Sequence, residues 1–239
     1  AKIEKAEAMD EIDSIIDASD GLMVARGDLG VVMGVAQVPI IQKDLIRRCQ
    51  SAGKTVIVAT QMLQSMVEQA SPTRAEVSDV ANAIFDGTDA VMLSAETSVG
   101  KFPVQAVFTM AHVAEVTEAY VDRSLATSQA ATLQRVSPAT ALAQGAWRIV
   151  RDLEAKLVVI WSQNGHTARV FSKHRFPVPI IAFSSNHRAL RRMAMHYGVI
   201  PQEMNRMEGI HDLIDQVDAY VQQKKLAAAQ DRIVLVAGW

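Results

Sequence analysis

Short, uninterrupted apolar runs recur along the chain, and longer segments with helical spacing separate them. The runs are rich in valine and isoleucine and occupy residues 21–25, 55–59, 90–93, 157–161, 179–183 and 233–237. Runs without polar alternation are typical of strands that are buried on both faces, as in parallel sheets. The residues "AKIEK" at the start are interpreted as the end of a further strand. Strand–helix alternation of this kind predicts an α/β fold.

Two of the intervening segments carry clear helix signals. In residues 38–54 the following side chains are expected on one buried face: Ile40, Ile41, Leu45 and Ile46. Gly53 is a natural stop at the end of that helix. In the segment that begins at Ser137, the serine is the expected N-cap and Pro138 belongs in the first turn.

Residues 120–137 are polar and contain no apolar run, so a domain boundary is predicted near residue 121, giving domains 1–121 and 122–239. A net charge of −2 predicts no nucleic-acid partner. No apolar stretch approaches the ~20 residues that a membrane-spanning helix needs. The single cysteine, Cys49, excludes an internal disulfide and fits a reducing compartment, so a cytoplasmic protein is expected.

Polar residues follow each predicted strand of the first half: Lys2, Glu4, Asp28, Thr60, Ser94 and Glu96. The carboxyl ends of several strands form the active site in α/β barrels. Glu4 and Asp28 offer the hard oxygen ligands that Mg²⁺ prefers, and Lys2 is a cation suited to a phosphoryl group. Gly27 permits close backbone approach where "GDLG" opens a helix. The combination predicts a site for a small phosphorylated acid on a divalent metal.

Simpler interpretations of the same residues exist. Lys2 and Glu4, two apart on a strand, also fit a solvated ion pair, and Thr60 also fits a helix cap. The tripeptide Arg26–Asp28 matches an adhesion motif, but adhesion requires an exposed loop and this tripeptide follows a buried run. The joint arrangement is what favours a functional site.

Five stretches, in this order, resemble the pyruvate kinase family: "KIE", "DGLMVARGDLG", "AGKTVIVATQMLQSM", "SPTRAEVSDVANAIFDGTDAVMLSAET" and "GKFPVQAV". The resemblance implies the second half of a (β/α)₈ TIM barrel, strands five to eight, followed by a smaller three-layer α/β domain with a mainly parallel sheet. It implies phosphoryl transfer from phosphoenolpyruvate to ADP, giving pyruvate and ATP in glycolysis. Mg²⁺ (or Mn²⁺) and K⁺ are the implied cofactors, with the K⁺ ligands in the preceding part of the barrel.

The resemblance also implies residue roles. Lys2 is expected to bind substrate and stabilise the transferred phosphoryl group, and Glu4 and Asp28 to hold the metal. Substrate contacts are implied for Ala25, Gly27, Asp28 and Thr60. Ser94 and Glu96 correspond to a pair linked to protonation of the enolate. Arg26 is expected to serve in positioning or at a subunit interface, and Arg74 is expected at a subunit interface, in a homotetramer.

The second half resembles the C-terminal, allosteric domain of the same family. A phosphate of a sugar-phosphate or nucleotide effector is expected at four residues: Ser162, Asn164, His166 and Thr167. The sequence Asn164–Gly165–His166 replaces the serine-glycine-arginine of several regulated members. The alternative is a plain helix start capped by Thr167 or Asn164. His166 and His174 are expected on a solvated face rather than at a metal.

Three functions follow from these observations. The first is pyruvate kinase activity, with the chain alone expected to be a weak catalyst because the first four barrel strands are not included. The second is a module that binds a phosphorylated ligand or supports assembly without turnover. The third is another barrel enzyme that uses Mg²⁺ and an enolpyruvate, such as a carbon–carbon lyase, which the stretches "ATQM" and "PTRAE" disfavour.

Overall fold

The structure is a computed structural model that describes residues 1–125, 137–205 and 209–237, and the side chains of 122–125 are not described. The chain divides into two compact units, Ala1–Gln134 and Arg135–Trp239. The predicted boundary near residue 121 falls inside a helix, Pro103–Leu125, which continues into the segment expected to start the second domain. The remainder of the predicted linker, residues 126–136, lies outside the described residues.

The first unit alternates strands and helices. Its elements, in chain order, are β1 Lys2–Ile3, α1 Glu7–Asp10, α2 Ile12–Ala18, β2 Gly21–Ala25, α3 Arg26–Met33, a 3₁₀ helix Val35–Gln37, α4 Val38–Ser51, β3 Thr55–Ala59, a 3₁₀ helix Gln64–Val67, α5 Arg74–Phe85, β4 Ala90–Met92, α6 Ala95–Ser98 and α7 Pro103–Leu125. The four strands described in this unit are parallel and lie side by side in sequence order, as in part of an α/β barrel.

The strand register brings the carboxyl ends of the first unit's strands to one level. Ala25 pairs with Ala59, and Ala59 pairs with Met92. On the other side of β2, Ile3 pairs with Val24. The polar residues that follow each strand therefore meet at one edge of the sheet, which is where the candidate site lies.

One hydrophobic cluster stabilises the first unit. The inner strands β2 and β3 contribute buried aliphatic side chains, and α4 packs a stripe of residues onto them: Ile41, Leu45, Ile46 and Cys49. The prediction that Ile40 shares this face is wrong, because its side chain is 71% exposed. Positions i, i+4, i+5 and i+8 from Ile41 form the buried stripe, and Ile40 lies on its solvent side.

The second unit is also an α/β structure. Its described elements are α8 Pro138–Asp152, β5 Leu157–Trp161, α9 His166–Ser172, β6 Ile180–Ser184, α10 His187–Met193, β7 Val199–Glu203, α11 Ile210–Gln223 and β8 Ile233–Val236. The strands are parallel in the order β7–β6–β5–β8. Ser137 caps α8 as predicted, since its side chain accepts the N–H of Thr140.

The second unit has three layers. Along β5, Val158 and Ile160 pack with α8, α9 and α10 on one face of the sheet. Leu157 and Val159 pack with α11 on the other face. Because successive side chains of a strand point to opposite faces, a continuous apolar run is what a sheet covered on both sides requires.

The predicted strands agree closely with the observed ones. The runs 21–25, 55–59 and 157–161 are strands over those residues, the runs 90–93 and 233–237 end one residue too late, and the run 179–183 is shifted by one residue from β6. Strand β7 was not predicted, because its sequence "VIPQE" contains a proline and two polar residues. Among the described residues, no helix has both the length and the apolar character that crossing a bilayer requires.

Candidate active site at the carboxyl ends of the first sheet

The ammonium group of Lys2 joins two carboxylates. Its Nζ lies 3.0 Å from Oδ2 of Asp28 and also pairs with the carboxylate of Glu4. The hydrogen bonds that Lys2 donates to Glu4 and, second in effect, to Asp28 raise the pKa of Lys2 above its ordinary value. The hydrogen bond from Lys2 in turn lowers the pKa of Asp28. All three side chains are solvent-accessible, so a ligand can reach a cation and two carboxylates at one point.

The donor set fits a magnesium ion that shares its coordination with a substrate. Mg²⁺ is usually held by one or two carboxylates, with substrate oxygens and water completing an octahedron. Glu4 and Asp28 supply two carboxylates that approach a common point near the Lys2 ammonium. Within residues 1–125, 137–205 and 209–237, no cluster of three or more His, Cys, Asp or Glu side chains could hold a metal alone.

Helix α3 begins immediately after β2 and brings Gly27 against Thr60. The Gly27 N–H donates a hydrogen bond to Oγ1 of Thr60 at 2.8 Å, and that hydroxyl donates to the carbonyl of Ala59 at 2.6 Å. A Cβ on Gly27 would lie 3.4 Å from the same Oγ1. Ala25, which was expected to line the pocket, is fully buried and presents no side-chain surface there.

The turn after β3 has an unusual backbone. Thr60 and Gln61 have φ values of 70° and 53°, in the left-handed region. Positive φ is a genuine outlier for a β-branched residue, and such strain costs about 1–3 kcal/mol per residue. Strained backbone persists only where surrounding contacts enforce it, and it concentrates at functional sites.

Arg26 supplies many of those contacts from inside the unit. Its side chain is only 7% exposed, and the guanidinium binds the carbonyl oxygens of Thr60 and Gln61 and the carboxylate of Asp79. The sequence suggested either positioning or a subunit contact for Arg26. In the structure its guanidinium binds partners of the same unit, as a positioning role requires, and the interface role stays a prediction.

Glu96 is also more buried than its predicted role suggested. Its side chain is 1% exposed, and its two oxygens accept main-chain N–H groups from Leu63 at 3.1 Å and Ser94 at 2.7 Å. The carboxylate thus connects the segments that follow β3 and β4. Ser94 precedes α6 at the same level of the sheet, where the sequence predicted it.

Arg74 is the first residue of α5 and is exposed. The helix start is held by a capping box, in which Thr73 accepts the N–H of Glu76 and the Glu76 carboxylate accepts the N–H of Thr73. An exposed arginine on a well-fixed helix start is available to another subunit. The interface role of Arg74 stays a prediction.

The predicted effector residues follow β5 in the second unit. Asn164 and His166 are exposed, whereas Ser162 is buried and its hydroxyl accepts the N–H of Ala168 at 3.3 Å. The N-cap position of α9 is Gly165, with φ of 79° and no side-chain cap hydrogen bond. The alternative of a start capped by Thr167 or Asn164 is therefore wrong, because the conformation calls for glycine at that position.

His174 was expected on a solvated face, and that expectation is wrong. The side chain is buried at the end of α9, and neither ring nitrogen has a hydrogen-bond partner among the described residues. Burial lowers the pKa of His174 below its ordinary value. The sequence gives no signal for this, because the histidine follows a lysine in a polar segment.

Parallel strands in sequence order, with a lysine between two carboxylates at their carboxyl ends, define an α/β-barrel type of site for an anionic substrate. The pyruvate kinase barrel domain matches residues 1–107, and the pyruvate kinase alpha/beta domain matches residues 140–239. These two matches follow one another and together cover most of the chain. The chain belongs to the pyruvate kinase family.

Individual relatives agree with this assignment. Pyruvate kinase from Clostridium acetobutylicum is 40% identical over 238 residues, which are 100% of this chain and 50% of that protein. Pyruvate kinase from Geobacillus stearothermophilus is 44% identical over 239 residues, 100% of this chain and 40% of that protein. A crystal structure of a pyruvate kinase from Cryptosporidium parvum aligns with a TM-score of 0.91 and 37% identity, over 99% of this chain and 48% of that one. The chain spans about half the length of these relatives.

Proposed function

We propose that this chain carries the metal- and substrate-binding residues of a pyruvate kinase, which transfers a phosphoryl group from phosphoenolpyruvate to ADP. The strongest support is the position of the Lys2 ammonium between the carboxylates of Glu4 and Asp28. This group lies where the carboxyl ends of neighbouring parallel strands come together. In the reaction, the bond from phosphorus to the enol oxygen breaks and a bond to a terminal oxygen of ADP forms. The enolate carbon then takes a proton to give pyruvate.

The side chains have distinct roles in this proposal. Lys2 binds the phosphoryl oxygens and offsets their negative charge during transfer. Glu4 and Asp28 hold Mg²⁺ or Mn²⁺, which supplies further charge neutralisation when bound. Gly27 leaves room for the substrate carboxylate at the start of α3, and the positive end of a helix favours anions.

Proton delivery to the enolate is assigned to the groups after β3 and β4. Thr60 presents its hydroxyl at the sheet edge, and Ser94 lies at the corresponding place after β4. Glu96 orients both segments, since its carboxylate accepts the N–H of Leu63 after β3 and the N–H of Ser94 after β4. This division of roles makes Glu96 a support for the proton-delivering groups.

Further family properties are part of the same proposal. K⁺ is expected as a second cofactor, with ligands outside this chain. A sugar-phosphate or nucleotide effector is proposed at the segment from Ser162 to Thr167, with Asn164 and His166 among its exposed side chains. A cytoplasmic homotetramer is proposed, with Arg74 at a contact between subunits.

The test combines turnover with binding on the 239-residue chain. Pyruvate formation from phosphoenolpyruvate and ADP is measured with Mg²⁺ and K⁺, and Mn²⁺ binding is measured by electron paramagnetic resonance with and without oxalate. Lys2→Met is compared with Lys5→Met, a matched change at an exposed lysine of the same segment. We expect oxalate to tighten Mn²⁺ binding in the parent chain and in Lys5→Met, and this effect to be lost in Lys2→Met.

Each outcome has a defined meaning. Turnover that disappears only in Lys2→Met supports the enzyme. Oxalate-dependent Mn²⁺ binding without turnover supports the alternative, a module that binds the ligand without reacting it. Equal Mn²⁺ and oxalate binding in all three proteins would refute the assigned site.

A further inference from the structure

The turn formed by Thr60 and Gln61 requires an external support. Both residues have positive φ, and neither is glycine. Both residues lie beyond the paired residues of β3, which end at Ala59, so the strand pairing does not hold them. Such a conformation persists only where the surroundings over-determine it.

The guanidinium of Arg26 provides this support through main-chain contacts. Its terminal NH2 nitrogen lies 2.8 Å from the Thr60 carbonyl oxygen and 3.1 Å from that of Gln61, and its Nε donates to the Thr60 carbonyl at 3.3 Å. The same NH2 nitrogen is 2.8 Å from the sulfur of Met62. One planar cation therefore binds three consecutive residues of the turn.

Arg26 is itself fixed from two helices. Asp79 of α5 pairs with its NH1 nitrogen at 2.6 Å, and Gln42 of α4 accepts from the same nitrogen at 3.4 Å. Gln42 is buried and donates to the carboxylate of Asp86 at 3.1 Å. Because arginine is a rigid, planar, multidentate donor, this set of partners allows it a single orientation.

The next residue completes the connection. The Gly27 N–H donates to the Thr60 hydroxyl at 2.8 Å. The start of α3 therefore holds the turn twice, because the Arg26 side chain binds its carbonyl groups and the Gly27 main chain binds the Thr60 hydroxyl. The carbonyl that Arg26 binds and the hydroxyl that Gly27 binds belong to the same residue, Thr60. The orientation of this hydroxyl therefore depends on the contacts that Arg26 makes.

We propose that Arg26 is a positioning residue whose buried guanidinium holds the Thr60–Gln61 turn in its left-handed conformation and so fixes the Thr60 hydroxyl at the edge of the sheet. Its consequence for catalysis rests on the proposed function. The structural part concerns only this chain's residues and is independent of any reaction. Arg26 acts through Thr60 and does not itself contact substrate.

Amide hydrogen exchange of the ¹⁵N-labelled 239-residue chain tests the structural part. The reporter is Gly27, whose N–H is bonded to the Thr60 hydroxyl, and the reference is Val58, buried in the central strand β3. In Arg26→Met we expect Gly27 to exchange about tenfold faster or more while Val58 changes little, since one hydrogen bond is released locally. In Arg26→Lys we expect a similar acceleration, because one ammonium cannot replace the planar fork.

Two variants serve as controls. Arg47→Met removes an exposed arginine of α4 and is expected to leave both amides unchanged. Asp79→Asn keeps the guanidinium but weakens its anchor, and it is expected to accelerate Gly27 exchange less than Arg26→Met does. Asp79→Asn and Arg26→Lys also keep the test decisive if Arg26→Met does not fold. Gly27 exchange at the parent rate in these variants would overturn the proposal, as would equal acceleration of Gly27 and Val58.

Turnover separates this proposal from the proposed function. If the parent chain is active, we expect Arg26→Lys to lower kcat by up to about 100-fold with a much smaller change in KM for phosphoenolpyruvate. The reason is that the substitution misplaces the Thr60 hydroxyl and removes no contact with the substrate. An unchanged kcat together with fast Gly27 exchange would overturn the catalytic consequence. If the parent chain shows no turnover, the ligand-binding module replaces the enzyme as the proposed function, and hydrogen exchange alone decides the role of Arg26.

Discussion

Replacing Glu96 by glutamine tests how the segments after β3 and β4 are joined. The carboxylate is 1% exposed and accepts one main-chain N–H at each oxygen, from Leu63 and from Ser94. Glutamine has nearly the same shape, so packing is retained. Its single oxygen accepts one of the two N–H groups, and its NH₂ group must face the other donor.

The magnitude follows from these two contacts. A buried hydrogen bond to a charged group contributes about 1.5–3 kcal/mol, and an N–H group left without an acceptor adds a desolvation cost. We therefore expect the free energy of unfolding of the first unit to fall by about 2–3 kcal/mol in Glu96→Gln. The matched control is Glu68→Gln, which removes a surface ion pair with Lys101 and is expected to cost less than about 1 kcal/mol.

The sequence provides separate probes for the two units. Cys49 is the only cysteine and is fully buried in the core of the first unit. Its rate of labelling by a thiol reagent, under conditions where closing is faster than labelling, reports the opening free energy of that unit. All three tryptophans lie in the second unit, so their fluorescence in a urea titration shows whether that unit is unchanged.

The expected labelling rates are well separated. A loss of 2–3 kcal/mol corresponds to a roughly 30- to 140-fold faster reaction of Cys49 in Glu96→Gln, and Glu68→Gln should stay within about fivefold of the parent. Tryptophan fluorescence should show the same urea midpoint in all three proteins. A Glu96→Gln protein that labels no faster than Glu68→Gln would refute the idea that this carboxylate joins the two segments.

Three further outcomes are expected. Gly27→Ala should leave thermal stability unchanged, since its Cβ would meet the Thr60 hydroxyl at an ordinary 3.4 Å, but should weaken oxalate binding measured by calorimetry. Gly21→Ala should lower stability by about 1–3 kcal/mol in urea unfolding, because its Cβ would lie 2.6 Å from a carbonyl oxygen of β3. The pKa of His174 is lowered by burial, so protons bind the unfolded chain more readily and stability should fall as pH drops below about 6.5. His174→Leu should reduce this pH dependence of Tm, whereas the same change at exposed His211 should preserve it.

Local sequence was sufficient for much of the fold. The runs at 21–25, 55–59 and 157–161 form strands over those residues, because strands covered on both faces need apolar side chains at every position. The start of α8 at Ser137 was likewise predictable, since capping depends on residues three apart. Strand β7 was not predictable in this way, because pairing with β6 outweighs its weak strand propensity.

The sequence also predicted that the polar residues near the strand ends lie together. It did not predict which groups their side chains bind. Polar residues at or just beyond the carboxyl ends of neighbouring parallel strands lie at one edge of the sheet, which brings Lys2, Glu4 and Asp28 together. Arg26 and Glu96 follow strands in the same way, yet they are buried and bind main chain 34 and 33 residues away. The sequence determined which residues reach the edge of the sheet. Only the tertiary structure decided which of them face solvent and which turn inward, because that depends on distant backbone groups whose hydrogen bonds must be satisfied.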